Sequence, residues 1–87
     1  MEYIFIVLII NNRYVRWEEI KFDATLRDLF FLLKEKYKIE KCIIEIEELV
    51  INRPTKDYLL DFCGKKKDLT LRITTKDQNF NLAKNIF

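Results

Sequence analysis

The run Tyr3–Ile10 (YIFIVLII) constrains this chain more than any other feature. Eight consecutive apolar residues, rich in β-branched and aromatic side chains, read as a β-strand. They are too few for a membrane-spanning helix, which needs about 20 apolar residues. A secretory leader would carry basic residues before such a run, whereas Glu2 precedes this one and Asn11, Asn12 and Arg13 follow it. No membrane insertion is expected. A strand that is apolar on both faces belongs in the middle of a sheet. Ile4, Ile6, Leu8 and Ile10 share one face, and Tyr3, Phe5, Val7 and Ile9 share the other.

The rest of the chain supplies partners for that strand. Asn11-Asn12 is turn chemistry, because asparagine tolerates left-handed backbone, and Tyr14–Phe22 returns as a second strand. Its pattern is out of phase with itself: Val15 and Trp17 fall on one face, Ile20 and Phe22 on the other. Either a bulge near Glu18-Glu19 corrects the phase, or Val15 and Trp17 point outward. Thr25 is suited to cap a helix, and Asp28 three residues later makes a relative of the capping box. Leu26, Leu29, Phe30, Leu33 and Tyr37 then recur at helical spacing, which predicts a helix over Leu26–Tyr37 with Lys34, Lys36 and Lys38 at its electronegative end. Phe31 lies nearly opposite that stripe. Cys42–Ile46 reads as a third strand with Ile44 and Ile46 on one face, and Leu49–Ile51 as a short apolar piece. Asp57–Cys63 reads as a helical turn offering Tyr58, Leu59 and Phe62 to the core, closed by Gly64 as a left-handed cap. Lys65–Lys67 reads as a solvated turn, and Leu69–Thr75 as the last strand, with Leu69, Leu71 and Ile73 on one face. These pieces make one α+β domain over 1–76, followed by a tail, 77–87, in which Phe80, Leu82, Ala83, Ile86 and Phe87 stand among asparagines and Asn79 is placed to cap a short helix.

Composition narrows the function. Lys+Arg 16 against Asp+Glu 14 leaves +2, without the clustered excess of a nucleic-acid binder. Histidine is absent, which removes the usual general base and the commonest metal ligand. Two cysteines, Cys42 and Cys63, cannot furnish four metal ligands and match no CxxC motif. Buried free thiols in a cytoplasmic protein are the expectation. Asp57 and Asp61 stand one helical turn apart, but nothing around them implies an enclosing apolar pocket. No enzyme, cofactor or metal is expected.

The order hairpin, helix, short strand, short piece, helical turn, last strand resembles the ubiquitin-like β-grasp superfamily. The resemblance covers about Tyr3 to Thr75. It is carried by the T-L-x-x-L helix start (Thr25, Leu26, Leu29), the isoleucine-rich third strand, and LLDFCGKKKDLTLRI, in which Leu59, Asp61 and Phe62 stand where that family has Leu, Asp and Tyr. It implies a mixed sheet of order 2-1-5-3 packed on one helix (about 25–37). The family's conjugated modifiers and sulfur carriers end in Gly-Gly; here the last residues are Asn85-Ile86-Phe87 and the one glycine is Gly64, so a non-conjugated module is implied. The ferredoxin branch needs four cysteines, twice the number present. The positions matching the family's hydrophobic recognition patch are Glu45, Thr70 and Arg72, which are polar.

The expected function is therefore a non-catalytic protein–protein interaction module, either an adaptor or a terminal domain of a larger protein. The residues singled out for contact with another protein are Ile4, Ile6 and Leu8 on the first strand, Arg13, Arg16 and Trp17 on the second, Phe31 on the helix, and Phe80 and Phe87 in the tail. A one-helix β-grasp sheet leaves its second face open, so that face calls for a cover: the folded-back tail, a second copy, or a partner. Self-association through the open face is one alternative. The other is a Ras-association-like use of the basic second strand to extend a small GTPase's sheet, although the same charges also guard an edge against mispairing.

Overall fold

The computed structural model describes residues 2–63 and 68–77. Gly64, Lys65–Lys67 and all of the tail beyond Asp77, with Phe80 and Phe87, lie outside the described residues. The first strand, β1 (Tyr3–Ile10), turns through Asn11 and Asn12, both left-handed at φ 54° and 55°, into β2 (Tyr14–Lys21). The Arg13 amide donates to the Ile10 carbonyl at 3.1 Å and closes the turn. Helix α1 (Leu26–Tyr37) follows, then β3 (Cys42–Ile46), β4 (Leu49–Ile51), the short α2 (Leu60–Cys63) and β5 (Asp68–Thr75). The sheet order is β2-β1-β5-β3-β4, with β1 and β5 parallel at the centre. This is the order the resemblance implied, extended by β4.

Helix α1 begins and ends where its sequence predicts, for identifiable reasons. The Thr25 hydroxyl accepts from the Asp28 amide at 3.4 Å, and Asp28 accepts from the Thr25 amide at 2.9 Å, a reciprocal capping box. The Leu26 and Arg27 amides donate to the Asp57 and Thr55 carbonyls at 2.9 and 3.0 Å, so the first turn's free N–H groups are already used by the 55–57 segment. At the other end Lys38 takes a left-handed φ of 60°, and the Ile39 amide folds back onto the Leu33 carbonyl at 2.9 Å. Leu26, Leu29, Leu33 and Tyr37 are buried against the sheet. Full burial of a side chain such as Leu29 stabilises by roughly 1.5–3 kcal/mol.

The even-numbered residues of β1 face the helix. Ile4, Ile6, Leu8 and Ile10 are completely buried and share one core with Ile44, Leu59, Leu71, Ile73 and the helix stripe. The assignment of Ile4, Ile6 and Leu8 to a partner surface is thereby corrected: the single helix covers their face and leaves Tyr3, Phe5, Val7 and Ile9 on the other. Of the two alternatives for β2, a bulge near Glu18-Glu19 or an outward Val15 and Trp17, the second is the one found. The pairing of β2 with β1 runs unbroken from Tyr3↔Lys21 to Ile10↔Tyr14. The phase conflict is resolved by turning Tyr14, Arg16, Glu18 and Ile20 toward the helix side and Val15 and Trp17 outward. Phe22 falls beyond the strand, exposed, and Tyr58 is exposed as well, pairing with Thr25 through an isolated bridge.

An inward carboxylate on β2 is tolerated because it is met. Glu18 lies opposite Ile6, accepts the Tyr37 hydroxyl, and pairs with Lys36 Nζ at 2.8 Å. Its side chain is 9% exposed, so these partners replace most of its lost hydration. This contact ties the edge strand β2 to the last turn of α1.

Candidate interaction surface

Because strands alternate faces, the register places the outward side chains in columns. On β1 and β2 these are Val7 opposite Trp17 and Ile9 opposite Val15, continued by Phe5 and Tyr3, which face Glu19 and Lys21. Trp17 is 69% exposed and Phe5 51%. The neighbouring column on β5 is polar: Phe5, Val7 and Ile9 lie beside Asp68, Thr70 and Arg72. Beyond it Glu45 of β3 stands opposite Arg72, and Ile43 opposite Thr74. The open face thus has an apolar half centred on Val7 and Trp17 and a polar half along β5. Glu45, Thr70 and Arg72 all lie on that polar half.

Hairpin and β5 are locked together at one end of this face. The Asn11 amide donates to the Ile73 carbonyl at 2.7 Å, and the Asn11 side chain accepts from the Thr75 amide at 2.8 Å. Arg72 Nη1 donates to the Asn12 side chain at 3.0 Å. The chain leaves the sheet close by. Asp77 accepts from the Glu40 and Lys41 amides at 2.8 and 3.2 Å, and these bonds hold its carboxyl below the usual carboxylate range.

The predicted contact residues do not converge on one place. Trp17 is on the apolar half of the open face. Arg13 is exposed at the hairpin end, its guanidinium 5.4 Å from the Tyr14 ring. Arg16 turns to the helix side, where Nη1 donates to the Val15 carbonyl at 2.7 Å and Nε is buried with no hydrogen bond among the described residues. Phe31 is 64% exposed on α1, on the other side of the molecule from Trp17. Sequence reasoning missed Tyr3, Phe5, Val7, Ile9 and Val15 as the surface around Trp17. The signal that finds them is register: a hairpin pairing Ile10 with Tyr14 puts Val15 and Trp17 on the odd-numbered face of β1.

Reactive chemistry is weakly supported elsewhere. The Cys42 thiol is pushed up to about 11, first by burial and then by the charge of Asp77. Burial, with a smaller contribution from Asp68, also raises the Cys63 thiol. Both are free cysteines, and raised thiols are poor nucleophiles at neutral pH. Asp57 accepts the Thr55 hydroxyl at 2.8 Å and serves the turn before α2. Among the described residues no His/Cys/Asp/Glu cluster is arranged to hold a metal ion, and no helix is long and apolar enough to cross a membrane.

No family model and no curated protein sequence matches the chain. Among solved structures, the chain is similar to the UBL domain of yeast Ddi1, determined in solution, with a TM-score of 0.69 and 19% sequence identity over 91% of this chain and 95% of that one. The chain has the ubiquitin-like β-grasp fold, a mixed five-stranded sheet on one main helix.

Proposed function

We propose that this ubiquitin-like domain is a non-catalytic protein-interaction module that engages its partner with the apolar half of the open sheet face. The observation that carries the reading is the placement of Trp17 and Phe5, large and mostly exposed, on one continuous surface with Val7, Ile9 and Val15. Tryptophan and tyrosine dominate the binding energy of protein interfaces, and contiguous exposed apolar surface on a small domain marks an interaction site. Glu19 and Lys21 edge the patch, so a partner presenting an apolar anchor with flanking charges of both signs fits it. The two free thiols accord with a cytoplasmic setting.

The basic-edge reading is less well supported. The Arg16 guanidinium is held by the Val15 carbonyl of its own strand, and Arg13 is stacked on Tyr14, so both cations already have partners within the hairpin. Self-association through the same patch is the second reading, favoured by the same exposed aromatics. The test compares the full chain with a Phe5→Glu/Trp17→Glu variant and a Phe31→Glu variant, each verified as folded by circular dichroism. Affinity capture should lose specific partners with the first variant and keep them with the second. Partners retained by Phe5→Glu/Trp17→Glu would refute the assignment, and a concentration-dependent doubling of mass abolished by that variant would establish the second reading.

A further inference from the structure

We infer that a hollow between the end of β2 and the start of α2 receives an arginine side chain from a basic segment of a partner protein. It lies at the end of the sheet opposite the Asn11-Asn12 turn and does not depend on the Val7–Trp17 patch. Phe22, Asp23, Tyr58, Leu60 and Asp61 line a hollow of about 310 Å³. Leu59 is fully buried, while its neighbours Tyr58 and Leu60 are left exposed, as is Phe22 across the hollow. Backbone bonds build both walls. The Phe22 amide donates to the Glu2 carbonyl at 3.0 Å, the Ala24 amide to the Lys21 carbonyl at 3.0 Å, and the Leu59 amide to the Ala24 carbonyl at 2.9 Å. Thr25 and Tyr58 are joined by their isolated bridge. The site therefore stands ready-made, and a guest need order little of it on binding.

The lining selects the guest by charge. Neither Asp23 nor Asp61 has an ion-pair partner among the described residues, and no lysine or arginine lines the hollow. Lys21 and Glu2 line the adjoining hollow with opposite charges. An apolar anchor seated between Phe22 and Tyr58 would strip water from two carboxylates and give nothing back, which is costly. A cation is drawn both to the carboxylates and to the faces of the rings. Among protein cations the guanidinium fits best: it is planar, stacks on aromatic rings, is weakly hydrated, and meets a carboxylate with two parallel bonds. The arginine stem can lie along Leu60. A volume of about 310 Å³ is at the small end of ligand pockets, roughly 300–1,000 Å³, so one long side chain fills it. The chain as a whole is +2 and exerts no long-range pull on a basic segment, so the attraction is local and weakens with salt.

Titrating the isotopically labelled full chain with a blocked tetrapeptide carrying two central arginines tests this by nuclear magnetic resonance. Amide shifts should move at residues 22–24 and 58–61 and saturate. The same peptide with citrulline at both positions, neutral and close in shape, should bind severalfold more weakly; this comparison needs no variant. Asp23→Asn/Asp61→Asn should weaken the arginine peptide about tenfold, the combined effect of two exposed charge pairs, and Tyr58→Ala should weaken it severalfold. Glu35→Gln/Glu48→Gln removes the same charge elsewhere on the surface and should change nothing. Well-dispersed spectra verify that each variant is folded. Shifts centred elsewhere, equal binding of the citrulline peptide, or an affinity indifferent to Asp23→Asn/Asp61→Asn would overturn the inference. So would an equal loss in Glu35→Gln/Glu48→Gln, because the peptide would then be responding to net charge alone. Each of these outcomes leaves the Val7–Trp17 patch to its own test by partner capture.

Discussion

Replacing Tyr37 with phenylalanine isolates the contact that decides which way β2 faces. Tyr37 is fully buried and its hydroxyl donates to Glu18, which also holds Lys36 at 2.8 Å. The substitution keeps the ring and its packing and removes one donor to an ionised acceptor, a bond that contributes about 1.5–3 kcal/mol net. Lys36 still neutralises Glu18 in the variant, although its partly exposed ion pair adds less than about 1 kcal/mol alone. The expected loss therefore lies at the lower end, about 1.5 kcal/mol, or on the order of 6–12 °C in Tm for a domain of this size. Urea denaturation of wild type, Tyr37→Phe, Glu18→Gln and the double variant measures it. The two single effects should fail to add by at least about 0.5 kcal/mol, as expected for residues in direct contact. If Tyr37→Phe costs nothing measurable and the cycle is additive, Glu18 does not point inward. The parity that turns Trp17 to solvent would fall with it.

Three further outcomes follow from the same structure. Leu29→Ala should cost about 2–5 kcal/mol in chemical denaturation, because it empties a fully buried site between helix and sheet. Thr25→Ala should cost about 0.5–2 kcal/mol, and Asp28→Ala should add little on top, because both act through one capping box. Alkylation of Cys42 in the folded protein should rise with a midpoint near pH 11 rather than at the ordinary value of 9.0, and Asp77→Asn should lower that midpoint by removing the smaller, electrostatic cause. The linked stability is fully present below pH 9 and is lost as pH rises toward 11, since the unfolded chain gives up this proton first.

Much of the fold was legible because local signals agreed with one another. Thr25, Asp28 and the apolar stripe each place α1 over the same residues, and the alternation of Leu69, Leu71 and Ile73 defines β5 without ambiguity. The face of β1 was not legible. Its odd and even residues are both apolar, so hydrophobic pattern alone cannot choose between them. Strand β2 offers no help by composition: one face carries Tyr14, Arg16, Glu18 and Ile20, the other Val15, Trp17, Glu19 and Lys21, two charges apiece. The decision is made by a tertiary contact. Tyr37 and Lys36, at the end of a helix that starts elsewhere in the sequence, reward an inward Glu18, and the whole hairpin takes the corresponding parity. For the same reason Trp17 was identified as a contact residue while its true neighbours were not.

The most direct test of the central claim is site-specific photo-crosslinking in cells of the source organism, with a benzophenone side chain at position 17 and, separately, at position 72 on the polar half of the same face. The account predicts adducts to another protein from position 17 and few or none from position 72. Adducts from position 72 with none from position 17 would contradict it and move the binding surface to the strip formed by Thr70, Arg72 and Glu45.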